Sequence, residues 1–371
     1  MTESNPEIPG GGRIASIDAL RGFDMFWISG GEEIIHSLYR TFRNPVTEVL
    51  ERQFHHVQWE GFTFYDLIFP LFLFVVGVVL PFSLTRRLER GANRGELYRH
   101  LVRRLLLLFL LGLVYNGLLD FNIQHLRIAG VLQRIAICYF ISGLIVMNAS
   151  IRNQAIAAGA ILVGYWIILL AIPVPGAGAG VLTPEGNLAG YLDRGLLPGR
   201  FCCYHYGDNE GILSTIPAVA TTLLGVLAGH WLRSNHSPTR KAHGLALAGM
   251  ACLMAGLVWG FAFPMIKNLW TSSYVLFAGG WSLLLLAGFY WVIDMRGYQR
   301  WAYFFTVIGL NAITIYIAWR LFDFGSVAGI FVHGFIDYLG PLKPLFWSLS
   351  VVATAWLFLW FLHRQKIYLK V

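Results

Sequence analysis

Charged side chains are scarce in this 371-residue chain, at 13% of residues, while hydrophobic residues reach 56%. The mean hydropathy is +0.59. Soluble domains carry roughly twice that share of charge, about 25%, so a soluble globular protein is excluded. Long apolar stretches recur along the whole chain, and the sequence therefore predicts an all-α, polytopic transmembrane helical bundle surrounded by membrane lipid.

Cysteine is also rare, with only four residues. Cys138 and Cys252 fall inside predicted spans, where they are expected to act as small core hydrophobes. Cys202 and Cys203 are adjacent in a long loop. Because a bond between neighbours distorts the usual disulfide geometry, the sequence predicts no disulfide framework.

Several motifs are missing. The chain has no HExxH, no CxxC, no P-loop and no glycine fingerprint for a nucleotide, so no metal is predicted. A local Ser/His/Asp signature is absent too. The net charge of +8 comes from basic residues between spans, with no single basic face. This distribution argues against nucleic-acid binding and is typical of inward-facing loops of membrane proteins.

Ten apolar segments are each about 17–25 residues long, enough to cross ~30 Å of hydrocarbon. The predicted spans are 14–38, 64–84, 104–120, 128–149, 155–173, 211–232, 243–263, 273–293, 302–321 and 343–363.

Lysine and arginine concentrate on one set of connections, above all in the loop 85–104, which predicts that both termini lie inside. Residues 1–12 are polar and rich in glycine and proline, and predict a short disordered tail. Residues 13–371 then form a single transmembrane domain. Its longest outer loop, 174–210, is expected to be functional or disordered, and 322–341 is expected to hold a short re-entrant or interfacial helix.

Two histidines precede the second span, and a carboxylate, Asp66, stands at its entrance. A histidine near an interface is commonly a solvated surface residue, and this interpretation stays open for His56. Its neighbours favour a functional role: the carboxylate of Asp66 fixes the tautomer of an imidazole that exchanges protons near neutral pH, and Trp59 is predicted to bind a ligand beside it.

The first span carries further polar groups. Asp18 and Arg21 are spaced to pair on one helical face, a structural role. Asp24 lies a turn deeper, where an ionised carboxylate needs a partner or a water-filled cavity. Glu32 and His36 share a face near the outer end and are expected near His56.

Arg134 lies about six residues, roughly 9 Å, inside the fourth span and must face the bundle interior. It forms either a structural ion pair with Asp66 or Asp24, or a cationic contact for an anionic ligand. Other polar residues at the outer mouths of spans, or within one, are predicted to line the same cavity: Asn209, Glu210, Lys267, Asn268 and Asn311.

Five blocks, taken in order, resemble the heparan-α-glucosaminide N-acetyltransferase family, and the likeness is closest to its compact bacterial members. The blocks are RIASIDALRG at 13–22, WEGFTFYDLIFP at 59–70, GVLQR at 130–134, EGILST at 210–215, and KNLWTSSY at 267–274. Each block is weak alone, whereas the ordered set covers nearly the whole chain.

The resemblance implies an acetyltransferase of the bacterial inner membrane that moves acetyl from cytosolic acetyl-CoA to the amine of a glucosamine on the periplasmic side. It also implies a homodimer. By the family pattern His56 is the essential histidine, while Arg134 and Asp66 match further family residues. One departure is Glu32, which stands where the family often has a catalytic asparagine, and this puts the glucosamine acceptor in question.

The chemistry leaves alternatives open. His56 either takes a proton from the amine, with Glu32 or Asp66 orienting it, or becomes acetylated itself. The arginines of 86–104 either attract the nucleotide end of acetyl-CoA or only set topology. Two other functions fit a polar cavity in a membrane bundle: a sugar or glycan transporter, and an O-acyltransferase acting on a periplasmic glycan.

Overall fold

A computed structural model of the chain describes residues 14–369. Within this range it contains α-helices, a few short helical turns and one two-stranded hairpin, which confirms the predicted all-α class. The predicted tail at 1–12 lies outside the described residues.

The α-helices follow one another along the chain. In order they are α1 (Ala15–Phe26), α2 (Glu32–Thr41), α3 (Pro45–Gln53), α4 (Phe64–Leu80), α5 (Arg86–Glu89), α6 (Arg94–Tyr115), α7 (Val131–Asn148), α8 (Ile151–Ala171), α9 (Leu188–Leu196), α10 (Thr215–Arg233), α11 (Pro238–Gly260), α12 (Ser272–Phe289), α13 (Ala302–Leu310), α14 (Ala312–Leu321), α15 (Phe324–Val332) and α16 (Lys343–Arg364).

Seven helical segments are long and apolar enough to cross a membrane, and the bent pair α13 and α14 makes an eighth if it counts as one span. The chain is therefore a multi-pass membrane protein. The other two of the ten predicted spans, 14–38 and 104–120, are helical but fall short of this test. The first is interrupted, and the second coincides with α6, whose first half carries several charged residues.

The first predicted span breaks at a π-helical turn, Trp27–Gly31, between α1 and α2. Ser29 leaves helical geometry (φ −97°, ψ 44°), and Gly30 adopts φ 92°, a left-handed conformation that glycine accepts without a side-chain clash. A second break separates α13 from α14, which meet at 72°. Since α14 packs on the π-helical turn, the two interruptions are neighbours.

The centre of the bundle is the crossing of α4 and α10, the two most buried spans, whereas α8, α11 and α16 are largely exposed on the outside. The crossing is close: a Cβ on Gly77 would stand 1.9 Å from the carbonyl oxygen of Thr222, and one on Gly225 would stand 2.0 Å from that of Phe74. Small residues at such crossings let helix backbones pack directly in a membrane.

The loop 174–210 is folded. It contains α9 and a hairpin of strands β1 (Cys203–Tyr204) and β2 (Gly207–Asp208). Here one expectation was wrong, because Cys202 and Cys203 form a disulfide with each other. The bond occurs in a tight turn where Cys203 has a positive φ of 80°. Residues 322–341 contain α15 and a 3₁₀ turn, Ile336–Leu342, rather than one helix.

Candidate active site

The first turn of α4 fixes Asp66 in place. Thr63 is the N-cap residue, and its backbone N–H and hydroxyl donate to Asp66 Oδ2 at 3.1 and 2.9 Å. This reciprocal capping satisfies donors that a helix start leaves free. On the other side, the Tyr274 hydroxyl donates to the Asp66 carbonyl oxygen at 2.7 Å. Asp66 is fully buried, so its carboxylate is held in a single orientation.

The second oxygen of Asp66 is shared between a histidine and a lysine. His56 Nδ1 lies 2.7 Å from Asp66 Oδ1, and Lys267 Nζ lies 3.1 Å from the same atom. The lysine nitrogen is also 3.0 Å from His56 Nδ1 and 3.3 Å from its Nε2. The three side chains, named here the His56 triad, therefore touch one another pairwise.

The protonation state of the triad follows from these contacts. An ionised carboxylate only accepts hydrogen bonds, so the His56 nitrogen facing Asp66 carries the proton. Nε2 then keeps its lone pair. The His56 side chain is 49% exposed while Asp66 is buried, so the imidazole can be reached by an incoming ligand, with Lys267 Nζ 3.3 Å from its Nε2.

Backbone pairing brings Lys267 to the triad. Glu60 forms an isolated antiparallel bridge with Ile266, and the Gly61 N–H donates to the Met265 carbonyl at 2.9 Å. The loop before α4 is thereby attached to the loop before α12. Burial lowers the pKa of Lys267, and the neighbouring Asp66 carboxylate opposes that effect. The ammonium thus depends on Asp66 for its charge.

Tyr65 extends the site towards the first span. Its ring lies over His56, with centroids 4.8 Å apart, and its hydroxyl lies within hydrogen-bonding reach of Glu32. Glu32 was expected near His56. The two are connected through Tyr65, which contacts Glu32 with its hydroxyl and His56 with its ring. Asp66, rather than Glu32, is the carboxylate in contact with the imidazole.

Trp59 holds the outer loop. Its indole N–H donates to the Leu182 carbonyl at 2.8 Å, and its ring meets Tyr204 edge-on at 5.2 Å. Both contacts attach the loop 174–210 to the segment that carries His56. The predicted ligand-binding role of Trp59 gains no support from this placement.

Glu210 belongs to a buried ion-pair network that the sequence did not indicate. Arg127 donates to both oxygens of Asp208 at 2.7 and 2.6 Å and also pairs with Glu210. The two carboxylates raise the pKa of Arg127 against the effect of burial. Next to them, Asn209 has a buried side-chain oxygen that meets no donor in residues 14–369. The network attaches Arg127, just before α7, to the segment that precedes α10.

Arg134 is 1% exposed and pairs with neither Asp66 nor Asp24, so the first of its two predicted alternatives, a structural ion pair with either carboxylate, is not the one observed. It instead donates to Ser214 and lies over the Trp270 ring at 4.8 Å. The reason is geometric, because Lys267 already forms the ion pair with Asp66. Nε and Nη1 of Arg134 have no hydrogen-bond partner within the described part of the chain, an arrangement suited to an anionic or carbonyl ligand.

Asp24 is fully buried in α1, and both of its oxygens lack a hydrogen-bond partner among the described residues. Asp24 acts electrostatically on Tyr65, whose ring lies over His56. Asn311 lies at the break between α13 and α14, with a buried amide nitrogen likewise unpaired in the described range. Asn268, next to Lys267, is half-buried.

The positively charged cluster predicted at 86–104 lies at the opposite end of α4. The helix runs without interruption from Phe64 through a π-helical turn to Glu89. Twenty residues separate Asp66 from Arg86, about 30 Å at 1.5 Å per residue. The triad and the arginines are therefore a hydrocarbon thickness apart.

Comparison with known proteins gives a consistent match. A family model described as heparan-alpha-glucosaminide N-acetyltransferase, catalytic, matches residues 13–258. The human protein of that name is 28% identical over 390 residues, covering 86% of this chain and 56% of the human protein. The mouse protein is 28% identical over 371 residues, covering 80% and 56%. The chain thus spans about half the length of the curated relatives it matches.

Proposed function

Because the chain belongs to the heparan-alpha-glucosaminide N-acetyltransferase family, we propose that it is an integral-membrane acetyltransferase. It takes acetyl from acetyl-CoA and transfers it to the amine of a glucosamine-like sugar. The observation that carries the proposal is the contact between the half-exposed imidazole of His56 and the buried Asp66, 2.7 Å apart.

The reaction needs a base at that position. An ammonium is not a nucleophile, so the acceptor amine must be neutral when it attacks the thioester carbonyl. His56 Nε2 accepts a proton from the attacking nitrogen as the C–N bond forms and the C–S bond breaks, and CoA leaves through its sulfur. General base catalysis of this kind contributes ~10²–10⁴ in rate. Asp66 stabilises the imidazolium that results.

A direct transfer fits this site better than an acetylated His56. Lys267 Nζ stands 3.3 Å from Nε2, so an acetyl group on that nitrogen would be crowded by the ammonium and its Asp66 partner. In the direct route the ring needs only to hold a proton, and the ion pair stays intact.

Two further groups suit the ligands. Arg134 offers unpaired N–H groups in a buried place, suited to a carbonyl or anionic part of either substrate. Asp24 offers an unpaired carboxylate near Tyr65, suited to the amine. We place the nucleotide end of acetyl-CoA at the arginines of 86–104, about 30 Å away on the inner side.

The remaining assignments also belong to this proposal. The protein resides in the bacterial inner membrane with both termini inside, the acceptor binds on the periplasmic side, and the chain forms a homodimer. In this orientation His56 and the loop 174–210 face the acceptor.

The test is acetylation of glucosamine by purified protein with acetyl-CoA, compared with N-acetylglucosamine, which offers hydroxyls only. We expect an N-acetyl product and a loss of ~10²–10⁴ in kcat for His56→Ala. His333→Ala, which changes an exposed histidine directly after α15, is the matched control and should retain activity. Full turnover by His56→Ala would refute the mechanism. Transport of glucosamine into liposomes without acetyl-CoA would favour a transporter, and acetylation of the hydroxyl acceptor would favour O-acyl transfer.

A further inference from the structure

Three side chains outside the His56 triad converge at the junction of α2 and α3. Glu51 and His55 are one turn apart at the end of α3, and His36 comes from α2. His55 Nε2 lies 3.1 Å from Glu51 Oε1, and His36 Nδ1 lies 3.8 Å from the same oxygen. One ligand atom from each residue lies within 4.8 Å of the other two. We call this set the His36–Glu51–His55 cluster.

These spacings match a metal site. In tetrahedral coordination, bonds of about 2.0–2.1 Å place neighbouring ligand atoms about 3.3 Å apart. The two distances to Glu51 bracket that value. The two imidazole rings are tilted by 35° to each other with centroids 4.6 Å apart, so both lie beside the same carboxylate oxygen of Glu51.

The charges around the cluster leave Glu51 available. Arg40 is the basic residue of α2 and pairs with Glu33, while Arg52 is the basic residue of α3 and pairs with Glu48. Neither arginine forms an ion pair with Glu51 in the described structure. A second carboxylate, Glu32, also acts electrostatically on His36. A cation at this point would therefore meet net negative charge.

The types of ligand select the ion. Two imidazoles and one carboxylate suit zinc and its first-row neighbours, whereas calcium and magnesium prefer sets made of oxygen atoms. The side chains of His36 and Glu51 are 17% and 24% exposed, and that of His55 is 59% exposed. The cluster can thus be reached from solvent and has room for water as a further ligand.

We propose that the His36–Glu51–His55 cluster binds one divalent transition-metal ion, of which Zn²⁺ is the best fit. The bound ion joins α2 to α3 and fixes the residue directly before His56. Spacing along the sequence did not indicate it, because one ligand comes from a different helix. The proposal is independent of the acetyltransferase function.

The test is a titration of purified protein, without a polyhistidine tag, with Zn²⁺ by calorimetry and with Co²⁺ by visible absorption. We expect one ion per chain and tetrahedral Co²⁺ bands. Glu51→Gln and His36→Ala should each weaken binding by at least about tenfold, because loss of even an outer-sphere partner costs 10–100-fold. The near-isosteric Glu51→Gln guards against misfolding, and elution as a single species checks it.

Two control variants locate the ion. Glu48→Gln changes a carboxylate one turn earlier on α3 and should keep full affinity. His56→Ala removes the neighbouring histidine and should also keep it. The proposal is overturned if no saturable binding occurs, if Glu51→Gln binds as tightly as the unmodified protein, or if affinity falls in His56→Ala instead of in His36→Ala.

Discussion

His56 and Asp66 meet 2.7 Å apart, with the carboxylate fully buried and the imidazole half exposed. Ten residues separate them in sequence, and the turn that returns the chain is fixed by the Thr63 cap of α4. The buried partner is thus immobile while the exposed ring meets the ligand. This asymmetry is typical of a general base, here His56, that is oriented by a buried carboxylate, here Asp66.

Asp66→Asn tests the orienting role. The amide can still accept a hydrogen bond but no longer stabilises an imidazolium, so we expect kcat to fall by roughly 10²–10⁴, measured with acetyl-CoA and glucosamine. Thr63→Ala is the control, since it removes the cap and costs about 1 kcal/mol of stability but keeps the carboxylate. Equal losses in both variants would mean that Asp66 acts only through folding.

Lys267→Arg tests the pH dependence of the site. Burial lowers the pKa of Lys267, so its ammonium loses the proton at a lower pH than an ordinary lysine. As pH rises through that value, the Asp66 ion pair is lost, and activity should fall on the alkaline side. A guanidinium stays protonated there, so the alkaline limb of kcat/KM should move to higher pH in Lys267→Arg. If the alkaline limb of kcat/KM does not move in Lys267→Arg, the titration of Lys267 does not cause it.

Asp24→Asn separates stability from function. A buried carboxylate without a partner in the described residues is costly in a membrane protein. The amide removes that cost, so we expect a higher Tm by thermal scanning. If Asp24 recognises the acceptor amine, the KM for glucosamine should rise at the same time. A higher Tm with unchanged KM would assign Asp24 no role in acceptor binding.

Arg127→Met tests the network under the loop 174–210. Removing the cation leaves two carboxylates, Asp208 and Glu210, without their partner. Breaking a buried pair in this way costs about 3–5 kcal/mol, and we expect early proteolysis of the loop. The triple change that also introduces Asp208→Asn and Glu210→Gln should recover much of the loss, because no uncompensated charge remains. Lack of recovery would show that the guanidinium contributes mainly by packing.

The sequence was sufficient for the fold class, the family, and the meeting of His56 with Asp66. Apolar length predicts spans directly, and the sequence places Asp66 at the entrance of the second span, close behind His56. The interruptions at Gly30 and Asn311 were missed, because an apolar pattern continues through them. Tyr65 was missed as well, since an aromatic residue at the mouth of a span is commonly part of the interfacial belt.

Partnerships across the fold could not be predicted. An ion pair of Arg134 with Asp66 or Asp24 was one of two alternatives left open, but Lys267 reaches Asp66 through the bridge between Glu60 and Ile266. A backbone bridge between two loops produces no periodic pattern of residues in either loop, so the sequence does not predict it. The same holds for Arg127 and Asp208, which lie 81 residues apart.

The helix is uninterrupted from Phe64 to Glu89. The number of residues between Asp66 and Arg86 therefore fixes both their distance and their relative orientation around the helix axis. One inserted residue would turn one end by ~100° against the other, swinging the arginines away from their neighbours even with every side chain retained. Point replacements along the lipid-facing side should be tolerated there, whereas single-residue insertions and deletions should not.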